Sequence, residues 1–202
     1  MSPAAWWVSI FIEGEVRGAN VAKTKGAKVL SSEAVLHTRV FDVQRERVIE
    51  PSGVAATRDI IVHPGSVVVL PVLADGGIVL IRQYRHSVER YLWELVAGRR
   101  DGEESFVAGA RRELREETGY RARRMRLLLD LFPSPGFLRE NMAIFLATGL
   151  TKGVAEPEAD EKIEQRIFSL REAERWIRGG KIRDGKTVAG ILYYGKYFAG
   201  KK

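Results

Sequence analysis

Apolar and polar positions alternate with a period of two through much of the first half of the chain. Within residues 27–62, Val35, His37 and Val40 follow that period with one slip. Phe41 and Val43 continue it, and Val48 and Glu50 close it before a Pro51-Ser52-Gly53 turn. Thr57 to Val62 repeats the pattern, and His63-Pro64-Gly65 is the next turn. Alternation bounded by turn residues predicts two or three antiparallel strands in a small sheet ahead of a main domain. Ser66 to Leu73 is almost continuously apolar, the pattern of a strand buried on both faces. Asp75-Gly76-Gly77 reads as a hairpin turn and Ile78 to Tyr84 as the returning strand. A loop is expected over Arg85 to Tyr91 and a short strand over Leu92 to Val96. Further strands are expected over Arg121 to Asp130, Met142 to Thr148 and Ile163 to Leu170. Between the first two of these, Phe132 to Phe137 reads as a loop stiffened by Pro133 and Pro135.

The period changes from two to 3.6 after Ser105. Phe106, Ala110 and Leu114 then recur at i, i+4 and i+8 and share one helix face. Gly119 suits the left-handed cap that ends a helix at Thr118. Ser169 predicts the start of a second helix, Arg171 to Arg178, ended by Gly179-Gly180. A last helix is expected from about Thr187 to Phe198. Strands interleaved with helices in this order give an α+β chain, an α/β/α sandwich around a mixed sheet, with a small antiparallel sheet before it.

The first helix carries a second, polar face. Glu113, Glu116 and Glu117 stand at i, i+3 and i+4, within one turn of each other. Such close carboxylates repel, but they also form a set of hard oxygen donors suited to Mg²⁺ or Mn²⁺. A solvated acidic face broken by Arg111, Arg112 and Arg115 is the plainer alternative. What weighs against it is a resemblance carried by the residues around it. Gly98, five residues, Glu104, seven residues, then Arg112-Glu113-Leu114-x-Glu116-Glu117-x-Gly119-Tyr120 form a long gapped pattern.

That pattern resembles the Nudix box, and the resemblance extends over roughly residues 33–198. Other segments resemble the ADP-ribose pyrophosphatase branch of the Nudix hydrolases: His63-Pro64-Gly65 with the strand pair after it, Leu92-Trp93-Glu94-Leu95-Val96-Ala97-Gly98, and Ser134-Pro135-Gly136-Phe137. Pro135 lies sixteen residues after Gly119, the offset that marks this branch. The resemblance implies a Nudix fold and a metal-dependent hydrolase that splits ADP-ribose into AMP and ribose 5-phosphate, with Mg²⁺ as cofactor and Mn²⁺ as an alternative. It also implies a homodimer that exchanges the small N-terminal sheet, so that each subunit completes the other's site.

Residue roles follow from the same resemblance. Glu113 and Glu117 become primary metal ligands, with Glu116 beside them and the Ala97 carbonyl as a further ligand. The general base is expected on the acidic loop Thr151 to Glu161, with Glu161 first and Glu158 second. Arg112 is expected to be structural, pairing with Glu104 or Glu116, and Gly98 allows a sharp turn beside the ions. Arg85 is a candidate phosphate contact. Arg58 and Phe41 would reach the adenine or ribose held by the partner subunit. Pro135, Gly136 and Glu140 belong to the substrate loop. At the position of Arg139 the family more often has an acidic residue, a departure that alters the loop's charge.

Composition narrows the picture only slightly. The 202 residues suit one domain with a small arm, divided here as an extension 1–26, a sheet arm 27–62 and the main domain 63–202. The absence of cysteine excludes disulfides, thiolate catalysis and cysteine-ligated metal sites. A net charge of +7, spread along the chain, fits small phosphate-bearing substrates and gives no sign of nucleic acid as a partner. Ala4 to Ile12 is apolar but too short to span a bilayer, and Glu13 and Glu15 follow it, so a cytoplasmic protein free of membranes is expected. Two other readings stay open. One is a hydrolase for another nucleotide sugar or a dinucleotide such as NADH or a diadenosine polyphosphate. The other is a non-catalytic module that senses ADP-ribose. RNA decapping would use the same box, but no RNA-binding motif accompanies it.

Overall fold

The structure is a computed structural model that describes residues 26–156 and 162–200. The N-terminal strands are β1 (Lys28–His37), β2 (Asp42–Ile49) and β3 (Ala55–Val62). Next come β4 (Ser66–Pro71), β5 (Ile78–Arg85), β6 (Arg90–Glu94) and β7 (Val96–Arg99). Helix α1 (Phe106–Thr118) follows, then β8 (Tyr120–Leu131), β9 (Leu138–Arg139), β10 (Met142–Lys152) and β11 (Glu164–Phe168). Helices α2 (Leu170–Arg178) and α3 (Gly185–Tyr197) end the chain.

These strands form three sheets in the orders β1-β2-β3-β9, β7-β4-β10-β8 and β11-β5-β6. In the second sheet β4 runs parallel to β10, while β7 and β8 are antiparallel to their neighbours. The continuous apolar run over β4 is explained by this central place, since all its residues are buried. Its side chains point alternately into two cores. Val67 and Val69 pack with Ala110 and Leu114 of α1, whereas Val68 and Leu70 pack with Phe168, Ile182 and Ile191 on the side of α2 and α3. Each such aliphatic side chain contributes about 1.5–3 kcal/mol on burial, so the α/β/α layering follows from the period of β4 itself.

Several expected elements differ in detail. β4 and β5 do not form an extended hairpin. One bridge, Val72 to Ile78, joins them before they diverge into separate sheets, with Leu73 N donating to Gly77 O at 2.8 Å. The expected loop over Arg85 to Tyr91 is a tight connection instead, with a 3₁₀ turn at His86–Val88 and Glu89 at φ 53°. Cross-strand contact holds it closed: the Tyr84 and Tyr91 rings lie edge to face at 5.4 Å, and Arg82 stacks over Tyr91. Helix α3 starts two residues early because Asp184 caps it, accepting from Thr187 N at 3.0 Å.

The N-terminal sheet is joined to the rest by backbone pairing of β3 with β9, in parallel. Every residue of β1 is exposed, including Val29, Leu30, Val35 and Leu36 at about half their surface. Residues 1–25, almost all of the expected extension, lie outside the described residues. No helix among the described residues is long and apolar enough to cross a membrane.

Candidate active site

Helix α1 is set at both ends by local sequence. The Ser105 hydroxyl accepts from Ala108 N at 3.2 Å, and Gly119 at φ 74° closes the helix with its N–H on Arg115 O at 2.8 Å. Gly119 also sits hard against the chain that leaves β10. A β-carbon there would lie 2.6 Å from Gly153 O and 2.8 Å from Ala155 N. Glu156 N donates to Glu116 O at 2.9 Å, so the start of the acidic loop is tied to the end of α1. Glu158 and Glu161, the expected general bases, lie outside the described residues.

Glu113 and Glu117 face β7, and Glu116 is held by Arg112 and Arg115 on the same helix. Glu117 is 3% exposed, and one of its oxygens accepts from Ala97 N at 3.3 Å. Glu113 lies across Gly98 so closely that a β-carbon on Gly98 would stand 1.9 Å from Glu113 Oε1. Gly98 is thus a cradle that keeps room for a carboxylate, a requirement on packing rather than on a positive φ. Among the described residues, no three acidic or histidine side chains already converge as a metal cage. Instead Arg112 supplies the countercharge, with Nη1 donating to Glu113 at 2.6 Å and to Glu116 at 3.2 Å. The donor set itself fits a hard divalent cation. It offers carboxylates on one rigid helix face, one of them buried, beside a strand that approaches without a side chain.

Arg112 is the hub of hydrogen bonds in this loop. Its Nη2 donates to Glu104 Oε1 at 2.8 Å and to Arg99 O at 3.0 Å, and Glu104 Oε1 also accepts from Asp101 N at 2.8 Å. The hydrogen bond to Glu104 raises the Arg112 pKa, against burial, so this cation stays charged. The same bond from Arg112 holds the Glu104 carboxyl below its ordinary range, again against the effect of burial.

A second charged group lies beside the box and was not legible in the sequence. Arg85 does not stand free at its strand end. Its Nε and Nη2 donate to the two oxygens of Glu94 at 2.8 and 2.9 Å, and Glu94 is 1% exposed. Lys186 bonds Glu94 from the other side and Asp184 at 2.9 Å. Burial pushes the Glu94 carboxyl up, but Arg85 and Lys186 together outweigh it and hold the group below its usual value. The Arg85 pKa is raised, chiefly by the Glu94 hydrogen bond and in smaller part by Glu117, so this guanidinium senses the box carboxylate. The first turn of α3 also fixes the strand leading to Ala97, because Leu95 N donates to Thr187 Oγ1 at 2.8 Å. The only local cue to this network is the capping pair Asp184 and Thr187.

Apart from Arg85, the expected substrate residues separate into two places. Arg58, Pro135, Gly136 and Glu140 share a cavity of about 890 Å³ between the N-terminal sheet and the loop through β9. There Arg58 pairs with Glu50 at 2.7 Å. Phe41 lines a smaller cavity of about 330 Å³ with Arg39 and Arg99. His63 and Pro64 border both. His63 keeps its expected turn role, its Nδ1 accepting from Gly65 N at 3.2 Å, and it lies 3.5 Å from Glu140. Burial, the main cause, lowers the His63 pKa against the pull of Glu140.

The NUDIX domain profile matches residues 62–189. The chain is 34% identical over 173 residues to an ADP-ribose pyrophosphatase of Bacillus subtilis, covering 85% of this chain and 94% of that protein. It is 37% identical over 170 residues to an ADP-ribose pyrophosphatase of Mycobacterium tuberculosis, covering 82% and 81% respectively. The fold superposes on a crystal structure described as an ADP compounds hydrolase with a TM-score of 0.76 at 24% identity, over 87% of this chain and 96% of the other. With that profile matched across most of the sequence and relatives at 34% and 37% identity, the chain belongs to the NUDIX domain family.

Proposed function

We propose that the protein hydrolyses the pyrophosphate bond of ADP-ribose, giving AMP and ribose 5-phosphate. The observation that carries this reading is the packing of Glu113 onto Gly98 beside buried Glu117, in a chain whose relatives include ADP-ribose pyrophosphatases matched over 94% and 81% of their length. One water adds across the P–O–P linkage, one P–O bond breaks, and both products leave as phosphomonoesters. A divalent cation held by Glu113, Glu116, Glu117 and the Ala97 carbonyl would neutralise phosphate charge and acidify the attacking water. Mg²⁺ is the proposed ion. Arg112 keeps the carboxylates aligned through Glu104, and Arg85, steadied by Glu94, adds positive charge near the phosphates.

The general base is assigned to Glu161, with Glu158 second. Support comes from the Glu156 to Glu116 backbone bond, which ties the described start of that loop to the box helix. Residues 27–62 are read as the arm exchanged in a homodimer, with residues 1–26 an extension of unassigned role and residues 63–202 the hydrolase domain. The half-exposed apolar side chains along β1 favour such a covering partner. The site of action is read as the cytoplasm.

The test is a product assay with ADP-ribose, NADH, ADP-glucose, GDP-mannose and diadenosine polyphosphates, with Mg²⁺ and with EDTA. AMP released from ADP-ribose at the highest kcat/KM, and abolished by EDTA, supports the proposal. Faster turnover of another substrate replaces the substrate assignment. Tight ADP-ribose binding with no turnover of any compound overturns the enzyme reading in favour of a sensor.

A further inference from the structure

The geometry points to Arg139 as a specificity-determining residue of this chain, donating hydrogen bonds to an acceptor atom of the nucleotide bound in the larger cavity. The inference rests on the reading proposed above and concerns a residue at which the chain departs from the pattern it resembles.

Arg139 lies on β9 and lines the 890 Å³ cavity. Its Nη2 donates to both oxygens of Glu46, at 3.0 and 3.1 Å. Glu46 reaches it from β2, 93 residues away in sequence, and is 5% exposed. Among the described residues Glu46 has no other side-chain partner. Keeping a carboxylate out of water is costly unless it is paired. Here the one partner it pairs with is a guanidinium whose own side chain is 52% exposed. The pair is therefore lopsided, with a buried anchor and an open, cavity-facing cation.

The anchor is not needed to hold the strand. Ile61 N donates to Phe137 O at 2.9 Å and His63 N to Arg139 O at 3.1 Å, so backbone bonds alone fasten β9 to β3. The pair does offset the cost of burying the Glu46 carboxylate, but that cost does not require the cation to face the cavity. What Glu46 does achieve is orientation. With Nη2 occupied, Nε and Nη1 have no partner among the described residues and form a fixed donor edge.

The rest of the wall is consistent with a nucleotide. Phe132 and Phe137, at 65% and 54% exposure, border the same cavity and offer ring faces. Glu46 neutralises Arg139 overall, so the pair acts as a short-range donor for a sugar oxygen or a ring nitrogen rather than as a free anion trap. An acidic residue at this position would accept from such a group; arginine donates to it, and the preferred ligand changes accordingly.

The experiment compares wild type, Arg139→Ala, Arg139→Asp and Glu46→Gln in steady-state kinetics with ADP-ribose, ADP-glucose and GDP-mannose, together with thermal melts. Arg139→Ala is expected to raise KM about tenfold, the loss of a charge-assisted hydrogen bond, with kcat within about twofold; its melt falls because Glu46 loses its partner, so the kinetics are read well below that melt. Glu46→Gln, which keeps the shape of the anchor, is expected to raise KM several-fold in the same direction. The two arms separate the acceptor. If Arg139 reads the base, Arg139→Ala flattens the preference between ADP- and GDP-linked substrates; if it reads the sugar, it flattens ribose against glucose. A lowered melt with KM unchanged for every substrate makes Arg139 a structural tie and overturns the inference. A wild type that hydrolyses a different nucleotide, with KM still raised in Arg139→Ala, discards the substrate assignment and keeps Arg139.

Discussion

The carboxylate of Glu113 occupies the space in which a side chain at residue 98 would begin: a β-carbon on Gly98 would stand 1.9 Å from Oε1 and 2.1 Å from Cδ of Glu113. The obstacle is the end of a flexible side chain, not backbone. Gly98→Ala is therefore expected to fold, with a melt within a few degrees of wild type, while the carboxylate swings away. Activity should fall roughly 10–100-fold, the range for disturbing groups that orient metal ligands. More Mg²⁺ should be needed for half-maximal rate. A metal titration of the variant checks this.

Gly119 is a different case, because strain and collision coincide there. It stands at φ 74°, and a β-carbon would meet Gly153 O and Ala155 N at 2.6 and 2.8 Å. Gly119→Ala is expected to cost about 2–3 kcal/mol and to move the acidic loop away from α1. Denaturant unfolding should show the lower midpoint, and kcat should fall along with it.

Arg112 should govern acid stability. The folded Glu104 pKa lies below its unfolded value because of the Arg112 hydrogen bond. Its contribution is then complete above the ordinary value of 4.5 and is lost as pH falls through the lower, folded pKa. Arg112→Gln removes the bond and is expected to cost about 2 kcal/mol at neutral pH. The gap between wild-type and variant melting temperatures should narrow as pH is lowered from 6 toward 3.

Breaking the buried pair at Glu94 should be more severe. Glu94→Ala leaves Arg85 and Lys186 facing a cavity without their shared anion, at a cost of about 3 kcal/mol. Arg85 is also the proposed phosphate contact, so the substitution should raise KM beyond what the lost stability accounts for. Kinetics measured well below the variant's melting temperature separate the two effects.

Local chemistry is what the sequence displayed. Ser105 and Gly119 bounded α1 correctly, since caps are written within four residues of the helix they end. The unbroken apolar run over β4 foretold burial on both faces, whereas a pairing of Arg112 with Glu104 or Glu116 was expected only through the resemblance. Long-range contacts were hidden. Nothing near Arg85 announces Lys186, and Glu46 meets Arg139 across 93 positions. The divergence of β4 and β5 was also unreadable, because a hairpin turn at Asp75-Gly76-Gly77 looks the same whether its strands stay paired or part after one bridge. The larger cavity depends on β9, a two-residue strand too short to leave a period.

The central claim is a metal-dependent cleavage organised by the box helix. Its most direct test is AMP release from ADP-ribose by the full chain and by Glu117→Gln, each with Mg²⁺ and with EDTA, with thermal melts of both proteins. Glu117 is buried against Ala97, and glutamine keeps its size. The account predicts Mg²⁺-dependent release by the wild type and a loss of roughly 10²-fold or more in a folded variant, in line with removal of a charge-stabilising group. Undiminished release by Glu117→Gln, or release by the wild type that persists in EDTA, would contradict it.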